Sequence, residues 1–479
     1  MNGHNSRFDF RTPVPELSEL GAVHFIAIGG AGMSGVARVM LARGCQVSGS
    51  DAKDSPVLTA LAAEGATVSV GHDASHLDGV DTVVISSAVR ESNPELAAAR
   101  ERGLRVLHRS QALASTMSTS RRVAVAGANG KTTTTSMLTV ALQHCGADPS
   151  FAAGGELAKH GTNAHWGTGE VFVAEADESD GSFLVYRPEV GIVTNVQPDH
   201  LDFYGTFENV QKAYAEFAAS ILDGGLLVAC HDDEGSLALS ERARADGLRA
   251  LTYGWSPDAD VVLGELASQG LMSRVTVRDA EGTSHTLRIT IPGRHNLLNA
   301  AAAFTAATAG LGQDPSRILE GLFGFTGTRR RFEPKGVAAG VSVVDDYAHN
   351  PGKVAAVVGT GAELVRGQGR LLVVFQPHLY SRTRDFAREF AAALAPADAV
   401  VLMEVYGARE DPIPGVSSAL IEQALRESHP EADVEVISSW SAVAEAAARR
   451  ARPGDLVLTV GAGDVTMLGP EILRALEPA

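Results

Sequence analysis

The sequence predicts an α/β protein of three domains, each with a mainly parallel sheet: a Rossmann-like N-terminal domain, a central P-loop ATPase domain and a Rossmann-like C-terminal domain. Three observations predict it. Short runs of aliphatic and β-branched residues alternate with polar helical stretches along the chain, the pattern of strands covered on both faces by crossover helices. Two glycine-rich turns, Gly29–Gly35 and Gly127–Gly130, each follow an apolar run and open a helix. Finally, 479 residues exceed what one core ordinarily holds.

The composition, 20% charged and 45% hydrophobic, is that of an ordinary globular protein. No apolar run reaches the ~18 residues of a membrane span, so no membrane insertion is expected. Met1–Glu16 is polar and lacks the apolar core of a signal peptide, so a cytoplasmic location is expected. Cys45, Cys145 and Cys230 are odd in number and widely spaced, which suggests neither a disulfide framework nor a zinc site. A formal net charge of -17, from 57 acidic and 40 basic residues, disfavours nucleic acid as a partner. An anionic substrate must then be met by local cationic clusters and metal.

After a flexible tail, 1–19, the first domain is expected over 20–116. Val23–Ile28 reads as a buried parallel strand running into Gly29-Gly30-Ala31-Gly32-Met33-Ser34-Gly35. Gly30, Gly32 and Gly35 meet the spacing of a dinucleotide-binding turn. A helix from about Ser34 to Arg43 and a strand Gln46–Ser50 follow, and the strand ends at Asp51, placed to reach a ribose or base. Apolar runs at Thr67–Val70, Thr82–Ser86 and Arg105–Leu107 complete a doubly wound unit. These glycines alone also fit an ordinary tight turn, and they do not select NAD.

The central domain is expected over 117–327. Gly127-Ala128-Asn129-Gly130-Lys131-Thr132-Thr133 lies between the strand Val123–Ala126 and the helix Lys131–His144. Glycines let backbone NH groups approach phosphate oxygens, the helix N-terminus adds partial positive charge, Lys131 supplies a cation and Thr132 a hydroxyl for Mg²⁺. Val125 stands where the longer phosphate loop has its first glycine, so this loop is shortened. Two more strands end in metal-compatible groups: one in Glu175-Ala176-Asp177-Glu178-Ser179-Asp180, the other in Asp199-His200-Leu201-Asp202. Strand ends of a parallel sheet share an edge with the phosphate loop, so Glu175 and His200 are expected at a metal beside Lys131. Each stretch alone also fits a solvated loop. Asn296 and Asn299 share a face of a starting helix and could read a base edge or cap that helix.

The third domain, 328–479, opens with Arg329-Arg330-Arg331 at its junction, three arginines suited to phosphate or carboxylate recognition. Strands at Arg370–Phe375, Ala399–Met403 and Leu456–Val460 alternate with helices such as Arg384–Leu394 and Ser439–Arg450. The strand ends carry Asp345-Asp346-Tyr347-Ala348-His349, Gln376-Pro377-His378-Leu379-Tyr380-Ser381-Arg382 and Gly461-Ala462-Gly463-Asp464.

Taken in order, these motifs resemble the Mur ligase family over essentially the whole chain from about Leu20. The resemblance implies ATP-dependent joining of L-alanine to the carboxylate of UDP-N-acetylmuramate through an acyl phosphate, with ATP and Mg²⁺ as cofactors, in cytoplasmic peptidoglycan precursor synthesis. It implies that Gly127, Ala128, Asn129, Gly130, Lys131, Thr132, Thr133, His295, Asn296, Arg330, Asp345 and His349 bind ATP. Lys131, Glu175 and His200 would be catalytic, and Thr132, Glu175 and His200 would hold the metal. Gly30, Gly32 and Ser34 are expected near the diphosphate of the sugar nucleotide, with Asp51 and His72 near uridine. Tyr347, His378 and Arg382 are expected at the amino acid. The partners are thus UDP-N-acetylmuramate and L-alanine, with a monomer–dimer equilibrium expected. Ala128-Asn129 departs from the Thr-His usual at this loop, Leu379 stands where some members carry arginine, and Ala215 precludes a carbamylated lysine there. A ligase adding a tripeptide to the same sugar nucleotide, a nicotinamide oxidoreductase using only the first glycine turn, and a noncatalytic nucleotide switch are the competing readings.

Overall fold

A computed structural model describes residues 7–157, 161–269, 272–408 and 410–477. The chain divides into two compact units, one of Met1–Ser268, Met272–Thr290 and Asn296–Thr326, the other of Gln269–Leu271, Ile291–His295 and Gly327–Ala479.

The first unit holds two sheets. One comprises β1 (Val23–Ile26), β2 (Val47–Asp51), β3 (Thr67–Val70), β4 (Thr82–Ile85) and β5 (Arg105–His108) in the order β3-β2-β1-β4-β5. All its pairings are parallel, and the strand order reverses between β1 and β4, where β1 runs into the first glycine turn. The other has ten strands: β6 (Arg121–Ala126), β7 (Ser150–Leu157), β8 (Thr162–His165), β9 (Val171–Glu175), β10 (Val190–Val193), β11 (Leu226–Cys230), β12 (Arg249–Gly254), β13 (Val261–Gln269), β14 (Met272–Arg278) and β15 (Ser284–Ile289). Its order is β15-β14-β13-β12-β11-β10-β6-β9-β7-β8. The centre is parallel, so the ends of β6, β9 and β10 share one edge. The hairpins β7–β8 and β14–β15 are antiparallel. β14 alternates buried and exposed residues, because one face meets solvent.

One apolar core serves both sheets of this unit, running from Phe25, Met33 and Val36 to Ala164, Phe172, Phe183 and Phe217. The helix Ala31–Ala42 is the joint. A Cβ on its Gly35 would stand 3.1 Å from the Cβ of Ala164, and Asn163 Nδ2 donates to Ala31 O at 2.9 Å. A side chain there would push helix and hairpin apart by a few tenths of an ångström. The part of the expected tail that is described also packs here: Phe8 and Phe10 each lie 5.3 Å from the His108 ring, and Arg7 donates to Val89 O at 2.9 Å. Two aromatic anchors in an otherwise polar stretch account for this.

The second unit holds one sheet, β16 (Glu333–Ala338), β17 (Val341–Asp346), β18 (Leu371–Phe375), β19 (Ala399–Met403), β20 (Asp433–Ile437) and β21 (Leu456–Val460), in the order β16-β17-β21-β18-β19-β20. β16 pairs antiparallel and the others parallel. Separate apolar clusters pack about Phe375 and Phe390 and about Val374 and Val443, so alternate residues of its central strands serve each. The expected helix Arg384–Leu394 is two helices, Tyr380–Asp385 and Ala387–Leu394, broken at Phe386, whose φ of -126° is not helical. Among the described residues no helix is long and apolar enough to cross a membrane.

Candidate active site

The shortened loop leaves β6 at Gly127 and enters the helix Lys131–His144 at Gly130. Both glycines have positive φ, 136° and 87°. A Cβ on Gly127 would fall 1.9 Å from Thr194 Oγ1, and one on Gly130 would fall 2.6 Å from Asn299 Oδ1. The loop is therefore held from outside by the end of β10. Asn195 Oδ1 accepts from Asn129 N at 2.9 Å, while Thr194 Oγ1 and Asn195 Nδ2 donate to Asn129 O at 2.5 and 3.0 Å. Asn129 Nδ2 also donates to Gln197 Oε1 at 3.1 Å. The Ala128-Asn129 signature thus has a local role: Asn129 ties the loop to β10, and Ala128 is buried. No side chain caps the N-terminus of Lys131–His144, so its first backbone NH groups are available to an anion.

Lys131 Nζ donates to Gly127 O at 2.6 Å and to both oxygens of Glu178 at 2.8 Å. Burial opposes its charge, but Glu178 and Asp177 hold the ammonium above its ordinary pKa, so Lys131 is cationic. Thr132 Oγ1 donates to Glu175 Oε1 at 3.0 Å, and Gly154 N donates to Glu175 Oε2 at 2.5 Å. His200, in the left-handed region at φ 52°, places Nε2 3.7 Å from Glu178 Oε1. Lys131, Thr132, Glu175, Glu178 and His200 therefore belong to one linked cluster. The described residues contain no assembled group of three or more His, Cys, Asp or Glu side chains for a metal. A hydroxyl beside a carboxylate nevertheless suits Mg²⁺, a hard cation that binds through one or two protein oxygens and completes its shell with phosphate and water.

Asn296 and Asn299 are both buried near the start of the helix Arg294–Thr305, and Asn299 Nδ2 donates to Asn296 Oδ1 at 3.3 Å. It is Asn299 that abuts the phosphate loop. His295, the preceding residue in the chain, belongs to the second unit and is exposed.

At the edge of the first sheet, Asp51 Oδ2 accepts from Gly29 N at 3.0 Å and so shapes the first glycine turn. Gly30 is the N-cap of the helix Ala31–Ala42 and adds no side chain there. A Cβ on Gly32 would stand 3.1 Å from Arg109 Nη1. Ser34 is buried and turns its hydroxyl back to Ala31 O at 3.2 Å. His72 follows β3, its Nδ1 2.9 Å from Ser50 Oγ.

In the second unit, Asp345 is fully buried and accepts from Thr459 and Thr466 hydroxyls at 2.7 Å each. Arg330 Nη2 donates to the carbonyls of Gly461 and Gly463 at 2.7 and 2.9 Å, and its guanidinium lies 4.7 Å over the Tyr347 ring. In this arrangement both residues brace the ends of β17 and β21. Tyr347, His349, His378 and Tyr406 form a row of rings with centroids 5.2, 5.7 and 6.0 Å apart. Arg382 Nη1 donates to His349 O at 3.3 Å and stands 3.5 Å from His378 Nδ1. Burial, then the charge of Lys353, holds the His349 imidazole well below its ordinary pKa, so it is neutral.

Glu178, Asn195 and Arg109 carry much of this geometry and were given no role from sequence. Glu178 lies inside a stretch that drew attention as a strand end, and Asn299, which abuts the loop, was paired with Asn296 as a possible base reader or cap. Arg109, which donates to Asp177 Oδ2 at 2.8 Å, has no local signature.

Three family models match the chain: "Mur ligase family, catalytic domain" over residues 22–121, "Mur ligase middle domain" over 125–307 and "Mur ligase, glutamate ligase domain" over 330–463. The chain is 55% identical to a UDP-N-acetylmuramate–L-alanine ligase of Kineococcus radiotolerans, over 97% of this chain and 98% of that one. It is 53% identical to a ligase of the same name from Acidothermus cellulolyticus, over 97% and 96%. The crystal structure of the UDP-N-acetylmuramate–alanine ligase of Thermotoga maritima superposes with a TM-score of 0.78 at 28% identity, covering 95% of this chain and 98% of that one. With both glycine turns, the linked cluster about Lys131 and three matching models in order along its length, the chain belongs to the Mur ligase family.

Proposed function

We propose that this chain joins L-alanine to the lactyl carboxylate of UDP-N-acetylmuramate with hydrolysis of ATP to ADP and phosphate, as a cytoplasmic enzyme of peptidoglycan precursor synthesis. The observation that carries the reading is the full-length relation at 55% identity to a ligase of that name. The nicotinamide reading leaves the Lys131 loop without a task. A tripeptide ligase draws no support from these relatives.

A carboxylate is a poor electrophile at neutral pH. ATP therefore phosphorylates the lactyl carboxylate first, one carboxylate oxygen attacking the γ-phosphorus as ADP leaves. The alanine amine then attacks the acyl carbon and expels phosphate. Both partners of the first step are anions, so charge neutralisation and alignment dominate its barrier. In this scheme Lys131 exchanges Glu178 for the β- and γ-phosphates, and the open helix N-terminus and the NH groups of Gly127–Thr133 cradle them. Thr132, Glu175 and His200 would hold Mg²⁺, which when bound neutralises charge on the transferring phosphoryl group. His295, Asn296, Arg330, Asp345 and His349 are assigned to the nucleotide, Asp345 acting through its ion pair with Arg330 (3.8 Å). Gly30, Gly32 and Ser34 are assigned to the diphosphate, Asp51 and His72 to uridine. Arg382 pairs with the alanine carboxylate beside His378 and Tyr347. The corresponding domains are 20–116, 117–327 and 328–479.

The test is amine identity. Incubated with UDP-N-acetylmuramate, ATP and Mg²⁺, the enzyme should yield an L-alanine adduct by mass spectrometry in preference to glycine or a tripeptide, with matching phosphate release. Absence of an alanine-dependent adduct overturns the reading.

A further inference from the structure

Glu95, near the start of the helix Pro94–Glu101, is fully buried yet gathers a ring of polar partners. Ser50 Oγ donates to its Oε2 at 2.6 Å. His72 Nδ1 lies 3.1 Å from the same oxygen and 2.9 Å from Ser50 Oγ. On Oε1, His76 Nδ1 stands at 2.7 Å, Asp73 N donates at 3.4 Å and His24 Nε2 is 3.6 Å away. Four segments of the first sheet thus meet on one carboxylate.

The protons can be placed. Ser50 has one hydroxyl hydrogen and gives it to Glu95, so toward His72 its oxygen can only accept. An ionised carboxylate also only accepts. Burial works to raise the Glu95 pKa, but the nearby His24 ring and hydrogen bonds from Ser50 and His76 bring it down to about 2, so it is ionised at working pH. His72 Nδ1 therefore faces two acceptors and must carry a hydrogen, so a ring with one proton has Nε2 as a bare acceptor. His72 keeps a fifth of its side chain exposed, and it lies two residues past Val70, the register partner of Asp51.

We propose that Glu95 is a positioning residue that fixes the Nδ1–H tautomer of His72, so that His72 Nε2 accepts the N3–H of uracil and rejects cytosine. Uracil presents a donor at N3, whereas cytosine presents an acceptor there and would face a second acceptor. This rests on the reading that His72 lies against uridine. It explains why a buried carboxylate, and not a serine alone, backs the ring.

Selective ¹⁵N-histidine NMR tests the tautomer, and competition by UDP and CDP tests the selection. In the wild-type enzyme the His72 signals should be pyrrole-like at Nδ1 and pyridine-like at Nε2, should move on addition of UDP, and UDP should compete better than CDP. In Glu95→Gln an amide can donate to Nδ1, so the other tautomer should appear. KM for UDP-N-acetylmuramate should rise roughly tenfold, with kcat and KM for ATP within about twofold, and the UDP-over-CDP preference should shrink. His76→Asn removes a different partner of Glu95 and should keep that preference. If UDP leaves the His72 signals unmoved, the uridine assignment fails. If UDP moves them while Glu95→Gln keeps the tautomer and the preference, the positioning role is overturned and the assignment stands. Should Glu95→Gln not fold, an Nε2–H tautomer in the wild-type enzyme is sufficient to overturn the proposal.

Discussion

Lys131 is held by two oxygens of a buried glutamate, and that contact decides what its loss does. Lys131→Ala leaves Glu178 facing a nucleotide with no cation between them. The phosphate-release rate should fall on the order of 10²–10³-fold while the chain stays folded, as circular dichroism would check. Gly127 is sensitive for a different reason. A methyl group there would overlap Thr194 Oγ1 at 1.9 Å on a backbone at φ 136°. Gly127→Ala should cost about 2–4 kcal/mol in denaturant titration and abolish ATP binding by calorimetry. Residues that announce themselves by local grammar were legible in the sequence: Gly127 and Glu175 sit at the ends of apolar runs, Lys131 opens the helix after the glycine loop, and Asp51 ends a strand. Glu178 could be read as one more acid in a burst, but not as the partner of Lys131, because that contact spans 47 positions.

At the scale of elements, β10 supports the loop more than the loop supports itself. Asn195 makes bonds with both the NH and the carbonyl of Asn129. Asn195→Ala should therefore loosen the loop without unfolding the sheet, raising KM for ATP roughly tenfold with a smaller change in kcat. Steady-state kinetics at saturating sugar nucleotide separates the two. The helix Lys131–His144 and the strands Ala399–Met403 and Leu456–Val460 fall at the bounds their patterns suggested, since long periodic runs flanked by glycine or charge leave little choice. The hairpins β7–β8 and β14–β15 were not anticipated. Their strands are half exposed and interrupted by glycine and charge, so neither a continuous apolar run nor a clean helical period marks them.

For the molecule as a whole, acid stability and cooperativity follow from burial. Glu95 is ionised and depressed from 4.5 to about 2, so its contribution to stability is complete above pH 4.5 and is lost as pH falls toward 2. That limb should amount to roughly 3 kcal/mol in denaturant titrations at stepped pH and be absent in Glu95→Gln. In the first unit one apolar cluster reaches both sheets, beside a smaller one about Ile26 and Leu96, whereas the second unit has its own clusters. Scanning calorimetry should accordingly resolve two transitions, not three. This shared core was the least legible feature, because three αβ patterns in a row read as three bodies, and nothing local says that Gly35 of one sheet's helix meets Ala164 of the next sheet. That contact also constrains how such a chain can recombine. A crossover between two relatives near position 116 would set one parent's Gly35 helix against the other parent's Asn163–Ala164 hairpin. Functional chimeras should exchange the first unit as one cassette.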